Sequence, residues 1–101
     1  MEYLSFEQVW QGFLDSSPAS LTCLSEWRAD SCVLRRLCTR ECTVRGVWRG
    51  EEPYALEFTG PSWQVAILRT TFCTALRCPG APRLHIIQEG NRVLEVEFKE
   101  A

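Results

Sequence analysis

A chain of 101 residues, 46% apolar and 24% charged, has the length of one domain spanning 1–101 and too much apolar content for disorder. Its longest apolar run, Val65-Ala66-Ile67-Leu68, excludes a membrane-spanning helix, which needs about 20 such residues. A net charge of −2 speaks against a broad nucleic-acid footprint, which lifts the pI of a domain above about 9.

The first element is an amphipathic helix. Ser5 followed by Gln8 forms a capping box, and Leu4 and Val9 are placed as a hydrophobic staple across it. Phe6, Val9, Trp10, Phe13 and Leu14 recur at the spacing of one buried face. Gly12, which costs about 1 kcal/mol against Ala, suggests close approach of a neighbouring backbone. Asp15-Ser16-Ser17-Pro18 ends the helix, because Pro disfavours α geometry in the residue before it. Residues 18–28 read as a short helix or turn, although Leu21, Cys23 and Trp27 also fit a gapped alternation.

From residue 32 the period becomes two. Residues 33–37 and 42–48 read as strands, the second with Cys42, Val44, Gly46 and Trp48 on one face. Gly50-Glu51-Glu52-Pro53 is a turn, residues 54–59 a strand, and Gly60-Pro61-Ser62 a break. Residues 63–77 carry strand-favouring Trp63, Val65, Ile67, Thr70, Thr71 and Phe72, while Val65, Leu68, Phe72 and Leu76 fit a helix face. A final hairpin joins 83–88 to 92–99 through Glu89-Gly90-Asn91, whose Gly and Asn accept positive φ. Leu94, Val96 and Phe98 face the core, and Glu95 and Glu97 face out. That last strand could pair with a partner's edge, or its charges could blunt an edge.

The expected fold is therefore α+β: the N-terminal helix packed on a curved, mainly antiparallel sheet of five to six strands. The alternative is an α-βββ-α-ββ two-layer sandwich with residues 62–77 helical.

No residue set reaches the specificity of an active site. Met1-Glu2-Tyr3 is not a basic leader, so the expected compartment is the cytoplasm, where Cys23, Cys32, Cys38, Cys42, Cys73 and Cys78 are expected as buried thiols. Cys38/Cys42 and Cys73/Cys78 have zinc-like spacing with His85 in reserve. Cys in a strand is more simply a small hydrophobe, so no metal and no cofactor are assigned. The six glycines are scattered, which leaves no phosphate loop.

Charge is uneven. Glu2, Glu7, Asp15 and Glu26 make the first quarter acidic, while Arg28, Arg35, Arg36, Arg40, Arg45 and Arg49 make the next segment basic. Arg and Trp are the favoured anchors of protein interfaces. The leading expectation is thus a non-enzymatic protein-interaction or assembly module, binding a partner or a second copy through Arg36, Arg40, Arg45, Arg49, Trp27 and Trp48. One alternative is an apolar-ligand cup formed by the sheet and first helix, lined by Trp48, Trp63 and Phe72. The other is nucleic-acid binding through the Arg-rich strands.

Overall fold

The computed structural model describes residues 2–15, 21–28, 33–37, 41–78 and 82–98. It contains one helix and nine strands in the order β1 (Glu2–Leu4), α1 (Phe6–Asp15), β2 (Leu21–Arg28), β3 (Val33–Leu37), β4 (Thr43–Arg49), β5 (Glu52–Thr59), β6 (Gln64–Leu68), β7 (Phe72–Arg77), β8 (Arg83–Gln88) and β9 (Arg92–Phe98). The class is mixed α+β and mainly antiparallel, but the strands form two sheets rather than one. The larger has the order β1-β7-β8-β9-β2-β3 and the smaller β4-β5-β6. From β2 to β9 each consecutive pair is hydrogen-bonded except β3/β4 and β6/β7, and β9 returns to pair with β2. The meander thus closes on itself and is open at two places.

The capping box forms as its residues require. The Ser5 amide donates to Gln8 Oε1 at 2.8 Å, and the Gln8 amide donates to Ser5 Oγ at 3.2 Å. Leu4 and Val9, the staple pair, are both buried. Phe6, Val9, Trp10 and Phe13 form the buried face of α1. This face bridges the two sheets. Phe6 packs edge-on to Phe72 of β7, and Phe13 packs against both Phe58 of β5 and Phe98 of β9. Below the helix, Leu24, Leu56, Phe58, Ile67, Ile86 and Val96 are fully buried. Burying each such side chain contributes about 1.5–3 kcal/mol.

Several sequence expectations are corrected. Residues 21–28 form strand β2, not a short helix or turn; residues 18–20 lie outside the described set. Both faces of β2 are partly covered, with Leu24 and Ser25 both buried, and its register shifts between Leu21 and Cys23. That blurs the alternation from which a strand is read. Residues 62–77 form neither one long strand nor a helix. They form β6 and β7, joined by a turn at Arg69–Thr71 in which the Thr71 amide donates to the Leu68 carbonyl at 3.2 Å. The turn contains neither Gly nor Pro and so leaves no punctuation in the sequence.

The last strand is not an edge. β9 lies between β8 and β2, and Lys99 falls outside the described residues. Glu95 and Glu97 do stand on the outer face, but they are paired: Arg83 lies 3.5 Å from Glu95 and 3.4 Å from Glu97, and His85 Nε2 is 3.1 Å from Glu95. Glu52 and Pro53 belong to β5, so the turn before it is confined to Gly50 and Glu51. At Glu89-Gly90-Asn91 the expected positive φ is present, 80° at Gly90 and 57° at Asn91.

Gly12 has open space around its Cα, so it is not the site of close approach. That role belongs to Gly46 of β4. A Cβ there would lie 2.6 Å from Trp10 Cζ2 and 2.9 Å from Leu14 Cδ1. The helix crosses β4 at the one residue that leaves room for the Trp10 ring.

Among the described residues, no helix is long and apolar enough to cross a membrane.

Candidate interaction face

Trp10 fixes the geometry around β4. It is buried, its indole N–H donates to the Ala55 carbonyl at 3.1 Å, and Trp48 packs edge-on to it with ring centroids 4.8 Å apart. Trp48 itself is 56% exposed, and Leu14, which crosses Gly46 beside Trp10, is 38% exposed. Two large apolar side chains thus stand in solvent on one seam between α1 and β4, one of them braced by a buried indole. An edge-to-face aromatic contact of this kind contributes about 0.5–1.5 kcal/mol beyond area burial and limits the ring's motion.

The strand beneath is a sheet edge. Among the described residues β4 pairs only with β5. Two backbone bonds fix the phase of the ladder: the Gly60 amide donates to the Trp63 carbonyl at 2.9 Å, and the Arg69 amide to the Tyr54 carbonyl at 2.8 Å. With the β5–β6 register this makes Leu56/Ile67 and Phe58/Val65 the hydrogen-bonded pairs, so Ala55, Glu57 and Thr59 turn their backbone groups to β4. Their partners are Val47, Arg45 and Thr43. The backbone groups of Val44 and Gly46 therefore face the open edge.

The arginines of β4 are engaged within the fold. Arg45 lies 2.9 Å from Glu57, which also accepts from Gln64 at 2.6 Å, making one polar row across β4, β5 and β6. Arg49 stands over the Tyr54 ring, 5.4 Å from its centroid. Tyr54 occupies the register shift where Val47 pairs with Ala55 and Trp48 with Pro53. The extra residue lies on β5, so the bulge bends the start of that strand.

The other residues of the expected surface fall elsewhere. Trp27 and Arg36 belong to the six-stranded sheet, on β2 and β3. Trp27 is half-buried opposite Val93, and Arg36 is exposed opposite Ser25. Arg40 lies outside the described residues. Of the residues expected to line a cup, Trp48 is opposite Pro53 at one end of β5, while Trp63 follows the Gly60 turn at the other. Phe72 packs on Phe6 of α1. Trp63 lies across Gly60, where a Cβ would come 2.2 Å from its ring, and its indole nitrogen is buried with no acceptor among the described residues.

The expected surface includes Trp48, Arg45 and Arg49 of β4 and does not include Leu14 or Gly46. Leu14 was read as part of the buried helical face; it is the residue of that set left at the rim. The signal for Gly46 was a glycine inside a strand, which often marks close backbone approach.

Cys23, Cys42, Cys73 and Cys78 are free thiols, but only Cys42 is buried as expected: Cys23 and Cys78 are half-buried and Cys73 is exposed. Burial pushes the Cys42 thiol up. Among the described residues no group of three or more His, Cys, Asp or Glu is placed to hold a metal; Cys32 and Cys38 lie outside them. Comparison with models of known protein families, with curated proteins and with solved structures found no match to this chain.

Proposed function

We propose that this chain is a protein-interaction module whose contact face is the seam between α1 and the open edge of β4. The observation that carries the reading is Trp48, more than half exposed yet packed edge-on against the buried Trp10, with exposed Leu14 beside it. A rigid aromatic held in solvent by its own core gives large contact area at little cost in side-chain freedom. The unpaired backbone groups of Val44 and Gly46 supply a template for a partner strand, and such main-chain pairing adds affinity. Arg45 and Arg49, occupied by Glu57 and Tyr54, act as the fixed rim of this face rather than as free phosphate contacts.

Native mass spectrometry of the reduced protein, purified without chelators, tests the reading. We expect a dimer or a co-purified protein partner with no added small mass, and loss of that assembly in Trp48→Ser and Leu14→Ser with the fold retained. A protein that stays monomeric with nothing bound, or one that carries a zinc ion or a small organic mass instead, overturns it.

A further inference from the structure

At the opposite edge of the small sheet, β6 faces a cleft of 290 Å³ against the end of the six-stranded sheet. This is near the lower bound of small-ligand sites, roughly 300 Å³. Its lining includes Gln64, Ala66 and Leu68 of β6, with Glu26, Gln88 and Arg92 from β2, β8 and β9.

Two features of the cleft are independent of each other. The first is the backbone of β6. The ladder phase that turns Val65 and Ile67 toward β5 turns the N–H and C=O groups of Gln64 and Ala66 the other way, toward the open edge. Among the described residues no strand pairs there.

The second is a row of donors across three strands. Gln88 pairs with Arg92 across β8 and β9, and Arg92 pairs with Arg28 across β9 and β2. Among the described residues Arg92 has no hydrogen-bond or ion-pair partner, and its side chain borders the cleft. Gln88 is 6% exposed; its Oε1 accepts from the Thr71 hydroxyl at 3.3 Å, and its Nε2 has no acceptor among the described residues. The one carboxylate at the cleft, Glu26, is drawn to Arg35, 3.6 Å away.

We propose that this cleft binds the free C-terminal carboxylate of an extended peptide. The peptide main chain pairs with the open edge at Ala66, and its carboxylate lies on the row formed by Gln88 and Arg92. A carboxylate is the group that planar guanidinium and amide donors match, and a strand is what an unpaired edge accepts. Glu26 on the cleft wall disfavours an acidic side chain near the terminus. The site does not depend on the β4 face, and a protein that stays monomeric leaves it intact.

The test is an amide-resolved NMR titration of the intact protein with N-acetyl-trialanine as the free acid, as its C-terminal amide, and with acetate alone. We expect saturable shifts of the Ala66 backbone amide and the Gln88 side-chain amide with the acid, and affinity weaker by about tenfold or more for the amide form. Arg92→Gln should erase the preference for the acid. Ala66→Pro, which removes an edge donor not used by β5, should weaken the peptide. Equal affinity of acid and amide, no saturable shift at about 10 mM peptide, or acetate binding as well as the peptide overturns the proposal.

Discussion

The two edges of the three-stranded sheet are finished in different ways. At β4 the sheet meets α1 at van der Waals distance, with Trp10 lying over Gly46 and its indole N–H tied to the Ala55 carbonyl. At β6 the sheet meets the six-stranded sheet across a cleft lined by Glu26, Gln88 and Arg92. Both edge strands keep outward backbone groups, but β4 has its inner face sealed by aromatic packing, whereas β6 borders a roomy, polar cleft. Packing energy falls off within fractions of an ångström, so stability is concentrated at the face of β4. The β6 side gives up that energy.

The largest expected effect is at the sealed face of β4. Gly46→Ala puts a methyl group 2.6 Å from a buried indole that is hydrogen-bonded in place. A loss of about 2–3 kcal/mol is expected from urea unfolding followed by tryptophan fluorescence, as for other overpacked cores. A loss below about 0.5 kcal/mol, the range of an ordinary surface change, would break the contrast by showing that the seam yields.

Arg69 is intermediate. It is hydrogen-bonded to the Pro53 carbonyl at 2.7 Å, lies 2.5 Å from Glu7 and 3.4 Å from Glu52, and stands over the Phe6 ring at 4.8 Å. It therefore ties α1 to the start of β5. Arg69→Gln is expected to cost about 1–2 kcal/mol at neutral pH. Its hydrogen bond to Glu7 holds that carboxyl below the ordinary carboxylate range. A carboxyl whose folded pKa is depressed adds stability that is present above its unfolded value, near 4.3, and is lost as pH falls through the folded value. The gap between wild type and Arg69→Gln should therefore narrow as pH drops below about 4. A gap independent of pH would assign the effect to Phe6 and the Pro53 carbonyl alone.

The smallest effect belongs to the β6 edge. Ala66→Pro removes an amide that β5 does not use, so its cost should be within about 1 kcal/mol, as for a proline tolerated on an edge strand. If that variant lost as much as Gly46→Ala, β6 would not be an open edge, and the peptide site would lose half its basis.

How much of this could be read beforehand depends on where each residue's information resides. The capping box at Ser5 and Gln8 and the turn at Gly90-Asn91 are local chemistry, and both formed as expected. The alternation of Val44, Gly46 and Trp48 also held, because one face of β4 meets the helix. β2 escaped detection because it is covered on both faces and bulged. The turn at Arg69–Thr71 escaped because its bonds come from ordinary residues. Glu95 and Glu97 suggested an edge, yet their partners Arg83 and His85 lie on the neighbouring strand. Leu14 and Gly46 acquire their roles only once α1 is laid across β4. Strand order and the juxtaposition of Arg28 with Arg92 are properties of pairing between distant segments, which no local pattern encodes.

The position of β9 bears on how the protein can be made. Among the described residues of the six-stranded sheet, β9 is the sole link between the β1-β7-β8 half and the β2-β3 half. It is also synthesised after every other strand described. A nascent chain that has not yet delivered residues 92–98 holds two separate pieces of sheet, with Leu24 and Ile86 on faces that cannot yet meet around a common centre. Closure waits for a pairing between segments far apart in the chain, the slowest class of contact to form. Until then the edges of β2 and β8 stand open to other chains. Insertion of β9 between β2 and β8 is therefore the step that covers both of those edges at once.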